Sequence, residues 1–187
     1  MNLIVGIDEV GRGSWAGPLL GGAVVLDPAN PVAGLTDSKL LSPKKRAVLS
    51  SEIILNALSY GIGWVSAEEV DSMGLTLSVA TAMQRALDAI KTSYDEIVID
   101  GDYNFLMTNP KARTLIKADL TVPSVSAASI IAKVARDTYM AEQSLIYPGY
   151  DFASNVGYGT KKHSDAIIKH GITKIHRLSF KPMKNMN

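Results

Sequence analysis

Gly6-Ile7-Asp8-Glu9-Val10-Gly11-Arg12-Gly13 decides how the rest of the chain is read. Leu3-Ile4-Val5-Gly6-Ile7 is a short apolar run of the kind that forms a buried strand. Two adjacent carboxylates stand at its end, and a turn with two glycines around an arginine follows at once. Carboxylate oxygens at a strand end suit a hard cation such as Mg²⁺. A Gly-Arg-Gly turn lets backbone N–H groups and a guanidinium come close to a phosphodiester. Metal and phosphate capacity side by side point to phosphoryl transfer on nucleic acid.

Working outward, strand and helix patterns alternate along the whole length. Leu20 to Leu26 reads as a second strand and Tyr60 to Val65 as a third. Ser42-Pro43 starts a helix, with a hydroxyl at the cap and proline at the first helical position. Val48, Leu49, Ile53, Ala57 and Leu58 supply its apolar residues. Leu75 to Ile90 is a helix with Val79, Met83, Ala86, Leu87 and Ile90 on one face. Glu96 to Gly101 is a short strand ending in Asp100, and Thr114 to Lys117 is a weaker one ending near Asp119. The clearest long helix runs from Ser126 to about Leu145. A loop follows from Tyr147 to Gly159, then a helix from about Lys161 to His170 with Gly171 as its cap. Residues Lys181 to Asn187 are expected to fray. This interleaving argues for an α/β sheet covered by helices. With no repeat, low-complexity tract or linker, one domain over residues 1–187 is expected, its C-terminal loop and helical part beginning near 146.

Composition narrows the chemistry. The 187 residues are 47% hydrophobic and 20% charged, as in an ordinary globule able to bury a core. There is no cysteine. Disulfides, thiolate zinc sites and cysteine nucleophiles are thereby excluded. No signal-peptide pattern precedes the first strand and no run of 18 apolar residues exists, so a cytoplasmic protein is expected. The net charge of +1 hides an asymmetry. From Asn155 onward there are seven lysines or arginines against one acid, net +6, while the first 154 residues carry twelve against seventeen, net −5. An acidic body with a basic C-terminal segment fits a metal site beside a phosphate-binding surface. A solvated basic tail is the plain alternative.

Four acids fall at or just after expected strand ends: Asp8, Glu9, Asp100 and Asp119. Sites in open α/β sheets assemble there, and clustered carboxylates repel unless a cation neutralises them. Two ions about 3.5–4 Å apart can serve in-line displacement at phosphorus. One obstacle is that neighbouring strand residues face opposite sides, so Asp8 and Glu9 share a site only where the strand twists or ends. Two helices begin with basic residues, Lys44-Lys45-Arg46 and Lys161-Lys162-His163, where cations oppose the helix dipole but would help hold a phosphate. Ser126, Ser129, Lys133 and Arg136 recur on one face of the long helix and can follow a nucleic-acid backbone, although an ordinary solvent face has the same spacing. Lys39, in Asp37-Ser38-Lys39, can reach a phosphate. Tyr158, between two glycines, can lie against a sugar or base and meet a 2′-hydroxyl, the group that separates RNA from DNA. The three histidines lack metal spacing and fit structural places better than ligand ones, though His163 falls inside the candidate site.

These residues resemble the bacterial ribonuclease HII family. The matching motifs are Asp8-Glu9-Val10-Gly11-Arg12-Gly13 with Ala16-Gly17-Pro18, Asp37-Ser38-Lys39, Ile99-Asp100-Gly101, Val122-Pro123 leading into Ser126 to Val134, Gly157-Tyr158-Gly159-Thr160, and Arg177-Leu178-Ser179-Phe180. The resemblance implies a ribonuclease H-like fold, a mixed five-stranded sheet flanked by helices with a C-terminal helical extension. It implies hydrolysis of the RNA strand of RNA–DNA hybrids and incision 5′ of single ribonucleotides in duplex DNA, leaving a 3′-hydroxyl and a 5′-phosphate. It also implies two Mg²⁺ or Mn²⁺ ions on Asp8, Glu9, Asp100 and Asp119, with Asp8 bridging. Gly11, Arg12, Gly13 and Tyr158 would read the ribose hydroxyl. Ser38, Lys39, Ser126, Ser129, Lys133, Lys161 and His163 complete the expected substrate contacts. Two departures stand out: Ser14-Trp15 where many members have proline and a small residue, and Ala118 where many have glycine. Arg12, and a chain that opens on its first strand, distinguish it from the related HIII type. No sliding-clamp peptide is evident, and a monomer is expected. The rival readings are another metal-dependent nuclease of the same fold and a non-catalytic nucleic-acid binding module.

Overall fold

The computed structural model describes residues 2–184. The chain opens with β1 (Ile4–Val10) and β2 (Leu19–Val25), followed by a 3₁₀ turn at Ser38–Leu40, α1 (Pro43–Asn56) and β3 (Ser59–Val65). Then come α2 (Ala67–Met73), α3 (Leu75–Asp88), β4 (Glu96–Asp100), β5 (Ala112–Leu115), α4 (Ala118–Thr121) and α5 (Pro123–Ile146). The C-terminal part carries α6 (Phe152–Asn155), α7 (Lys161–His170) and α8 (Lys181–Lys184).

The strands form one sheet in the order β3-β2-β1-β4-β5. β1 pairs antiparallel with β2 and parallel with β4, so the sheet is mixed. The parallel register sets Ile7 opposite Ile99, which brings the next residue of each strand, Asp8 and Asp100, to the same end of the sheet. Alternation then sorts the side chains. Val5 and Ile7 join Ala82, Met83 and Ala86 of α3 in one core layer. On the opposite face, Ala127, Ala128, Ile130 and Ile131 of α5 pack with Leu49 and Ile53 of α1 over Val24. Helix α5 lies against β1 because Gly6 has no side chain: a Cβ there would stand 2.1 Å from the backbone of Ser124. The start of the long helix is thus pressed onto the acid-bearing strand. A third apolar cluster, with Ala16, Met140, Phe152 and Ile167, ties the C-terminal helices to the loop after β1.

Several boundaries differ from the sequence reading. α5 starts at Pro123 rather than Ser126, because proline suits the first helical position. Val48 is exposed and Ala57 caps α1, whose buried residues are Arg46, Leu49, Ser50 and Ile53. β5 stops at Leu115, so Asp119 ends no strand but lies in the first turn of α4. Lys181–Lys184 forms a helical turn where fraying was expected. Residues 185–187 lie outside the described part.

Candidate active site

Asp8 and Glu9 stand just before Val10, the last residue of β1, and Asp100 ends β4. Strand alternation sends Asp8 toward α5 and Glu9 toward the α3 side. Both nevertheless feel Asp100, whose charge raises the carboxyl of each. The sheet edge, rather than one of its faces, is where they meet. Burial pushes Asp8 up to about 7, with Glu9 and Asp100 adding to the shift and a hydrogen bond from Ser129 opposing it. Burial also raises Glu9, against the pull of Arg12 and Lys39.

Asp119 reaches the same neighbourhood by another route. Lys117 takes a left-handed conformation, and the Ala118 N–H donates to Asp100 Oδ1 at 2.8 Å. That bond starts α4 and sets Asp119 one residue beyond the anchor. From the other side the Ser126 hydroxyl donates to the Asp119 carbonyl at 2.5 Å. Burial raises the Asp119 carboxyl, and Asp100 and Asp37 raise it further while Lys39 lowers it. Ala118 fits where glycine is common, because the left-handed residue is Lys117 and Ala118 packs between Val98 and Val125.

The expected substrate contacts divide into three groups. Arg12, Gly13, Lys39, Tyr158 and Lys161 are exposed. Arg12 lies 3.8 Å from Glu9 and 5.7 Å from the centre of the Phe105 ring. Ser38, Ser126 and Ser129 are buried near the acids: Ser38 and Ser129 share a hydrogen bond of 3.0 Å, and the Ser129 side chain lowers the Asp8 carboxyl against its burial. Lys133 is engaged by Asp137 at 2.6 Å. His163 is fully buried, which corrects its expected place as a surface contact; its ring packs against Trp15 and Phe152 and hydrogen-bonds His176. Arg46 is likewise buried and donates to the carbonyls of Ser38 and Leu41.

Arg136 corrects another expectation. It follows no backbone on the surface: it is fully buried, and no carboxylate among the described residues lies in salt-bridge range. Its guanidinium donates to Pro18 O, Ala16 O, Ser14 Oγ and Val156 O, at 2.7 to 3.1 Å. Its central carbon lies 5.6 Å from the centre of the Tyr158 ring. One side chain thus ties the loop after β1 to the tyrosine loop. Gly11, at φ +86°, cannot be replaced by a larger residue, since a Cβ would fall 2.3 Å from Arg136 Nε. Ser14 both donates to Gly11 O and accepts from Arg136. Trp15 packs so closely on Gly159 that a Cβ there would be 2.1 Å from the indole. Ser14 and Trp15, together the first departure from the family pattern, are therefore built into the same junction.

Sequence reasoning gave Arg177 no role beyond its motif. It is buried and donates to Gly17 O twice and to Arg12 O, holding the Gly-Arg-Gly turn from below. Its motif is fixed in turn by Asp71, which accepts from the backbone N–H groups of Leu178 and Ser179 and from the Ser179 hydroxyl. These partners could not be paired from sequence, because they stand 107 and 108 positions apart.

The four acids are hard oxygen donors, and the raised carboxyls of Asp8, Glu9 and Asp119 mark a site short of positive charge. That chemistry fits a divalent cation. As they stand, no three acidic or histidine side chains among the described residues converge into a ready-made metal cage. A mixed five-stranded sheet with acids at its edge, a buried-arginine junction and an exposed tyrosine defines a nuclease of the ribonuclease H-like class. A family model described as ribonuclease HII matches residues 5–183. The ribonuclease HII of Vibrio vulnificus (strain YJ016) is 47% identical over 182 residues, covering 97% of this chain and 87% of that protein. The crystal structure of ribonuclease H2 from Pyrococcus horikoshii OT3 superposes with a TM-score of 0.84 at 28% identity, covering 98% of this chain and 96% of that one. The ribonuclease HII of Archaeoglobus fulgidus, solved in complex with PCNA, gives 0.77 at 27% identity, covering 96% and 95%. The chain belongs to the ribonuclease HII family. It is a type 2 ribonuclease H, a metal-dependent endoribonuclease.

Proposed function

We propose that this protein hydrolyses the RNA strand of RNA–DNA hybrids and incises duplex DNA on the 5′ side of a single ribonucleotide, leaving a 3′-hydroxyl and a 5′-phosphate. The observation that carries this reading is the junction at Arg136, which fixes an exposed tyrosine and the Gly-Arg-Gly turn beside acids that share the influence of Asp100. Asp8, Glu9, Asp100 and Asp119 would hold Mg²⁺ or Mn²⁺, which would supply an activated water and neutralise charge at the scissile phosphate.

The chain's own residues set the rest. The Glu9 N–H donates to the Asp8 carboxylate at 2.8 Å, and the Ser129 side chain favours its charged form. Arg12, kept near Glu9 by charge and by the Phe105 ring, offers donors to a phosphate. Lys39 and Lys161 add exposed positive charge for the backbone of the duplex. Tyr158, 37% exposed over its guanidinium support, presents a hydroxyl to the ribose. No helix among the described residues is long and apolar enough to cross a membrane, and with no cysteine to protect, the cytoplasm is the proposed site of action.

The test is a DNA duplex carrying one ribonucleotide, incubated with and without Mg²⁺. Metal-dependent cutting at the 5′ side of that nucleotide, with an all-DNA duplex left intact, is the expected result. Equal cutting of both duplexes would instead indicate a nuclease indifferent to ribose. Binding that survives EDTA, without cleavage in Mg²⁺, would indicate a pure binding module.

A further inference from the structure

His163 and His176 lie beneath the tyrosine loop, both buried, and neither reaches the surface where substrate would sit. Their four ring nitrogens are all engaged. The Thr173 N–H donates to His176 Nδ1 at 2.8 Å. His176 Nε2 and His163 Nε2 are 3.0 Å apart. His163 Nδ1 is 3.0 Å from the carbonyl oxygen of Tyr158.

One arrangement of protons satisfies every bond in this chain, including the Thr173 hydroxyl 2.9 Å from His176 Nδ1, since a hydroxyl can donate there too. A backbone N–H must donate, so His176 Nδ1 accepts and its proton sits on Nε2. That proton points at His163 Nε2, which therefore accepts, leaving the His163 proton on Nδ1. A carbonyl can only accept, and Tyr158 O does so. Adding a proton to either ring would set two donors against each other. Burial lowers His163 and brings His176 to about 4, consistent with two neutral rings. A hydrophobic core has no need of such order. Burying two imidazoles among Trp15, Phe152 and Tyr150 costs stability unless every nitrogen is satisfied.

We propose that His163, oriented by His176, is a positioning residue for ribose recognition: it fixes the carbonyl of Tyr158 and thereby the attitude of the ring presented to the substrate. The Tyr158 carbonyl takes a second bond from the Thr160 N–H at 2.8 Å, and Thr160 Oγ1 accepts from the His163 N–H. The first turn of α7 and the tyrosine therefore move as one piece. This inference rests on the reading of Tyr158 as the ribose contact.

Asparagine can place an amide N–H near the position of Nδ1, whereas glutamine places one near Nε2. The ratio of affinities for a one-ribonucleotide duplex and an all-DNA duplex, measured in Ca²⁺, reports ribose discrimination. His163→Asn is expected to stay within threefold of wild type in that ratio. His163→Gln and His163→Leu are expected to lose it at least tenfold while binding all-DNA duplex as wild type does. Full discrimination in His163→Leu, or equal loss in His163→Asn and His163→Leu, would overturn the proposal. Should these variants fail to fold, imidazole ¹⁵N shifts of the wild-type protein decide it. A proton on Nδ1 of His163 and on Nε2 of His176 is expected, and any other pair of tautomers overturns it. Tyr158→Ala separates the two readings. If that change leaves discrimination intact, the ribose role of Tyr158 fails and this inference with it. If it abolishes discrimination while His163→Leu does not, the positioning role alone falls.

Discussion

Asp8 carries a conflict between stability and chemistry. Its carboxyl titrates at about 7 in the folded protein and at 3.8 when unperturbed. The folded state therefore prefers the proton more than the unfolded state does. In the metal-free protein this contribution is fully present below pH 3.8 and is lost as pH rises through 7, a penalty on the order of a few kcal/mol. Asp8→Asn removes the penalty, so its metal-free melting temperature at pH 8 is expected to exceed wild type by several degrees, with little difference at pH 4. The same change is expected to lower cleavage more than a hundredfold; activity within tenfold would be incompatible with a central ligand. Scanning calorimetry with and without Mg²⁺ checks the linkage directly. Stabilisation by Mg²⁺ should grow between pH 5 and pH 8, because the ion competes with the proton for the same oxygens.

At the scale of elements, α5 does most to assemble the candidate site. It supplies Ser126 to the Asp119 backbone, Ser129 to Asp8 and Arg136 to the junction of two loops. The pattern of small and apolar residues revealed a helix here, but spacing cannot tell a solvent face from a buried polar one. Ser126, Ser129 and Arg136 share a face that points inward. Arg136→Lys keeps the charge but cannot satisfy acceptors in two loops at once. It is expected to destabilise the protein by about 2–4 kcal/mol and to reduce activity on the one-ribonucleotide duplex more than tenfold. Urea unfolding and steady-state kinetics on the same preparation read both effects. Other elements show why short pieces escape a sequence reading. α2 was announced only by Ser66 and Glu69, which form a capping box. α4 has four residues and exists because Asp100 caps Ala118 across 18 positions.

Across the whole molecule, the basic C-terminal part folds back onto the acidic body. Ala16 bridges to His176, the Arg177 N–H bonds Trp15 O, and the Arg177 side chain holds the turn that bears Arg12. The C-terminal part thereby holds Arg12 in place beside Glu9 at the acidic site. Affinity for duplex should fall steeply with salt, as counterions are released from the phosphates. Replacing both Lys39 and Lys161 by alanine is expected to reduce the slope of log K against log salt by about two, and to weaken ribonucleotide-containing and all-DNA duplexes alike. Fluorescence anisotropy across a salt series in Ca²⁺ checks this.

The amino-acid order by itself determined what is local or periodic: the strand ending in Asp8-Glu9, the alternation that makes an α/β sheet, the cap at Ser42-Pro43, and the run of family motifs. It also put forward the four acids as candidate ligands, because hard oxygen donors carry their chemistry in their type, although Asp119 lies in a helical turn and ends no strand. Only the tertiary structure decided which polar residues turn inward. His163, Arg46 and Arg136 look like phosphate binders along the chain and become buried fasteners in space. The physical reason is that a long basic side chain is soluble or structural according to whether unpaired carbonyls lie within its reach. Those carbonyls come from segments up to 120 residues away, a distance that no local pattern spans.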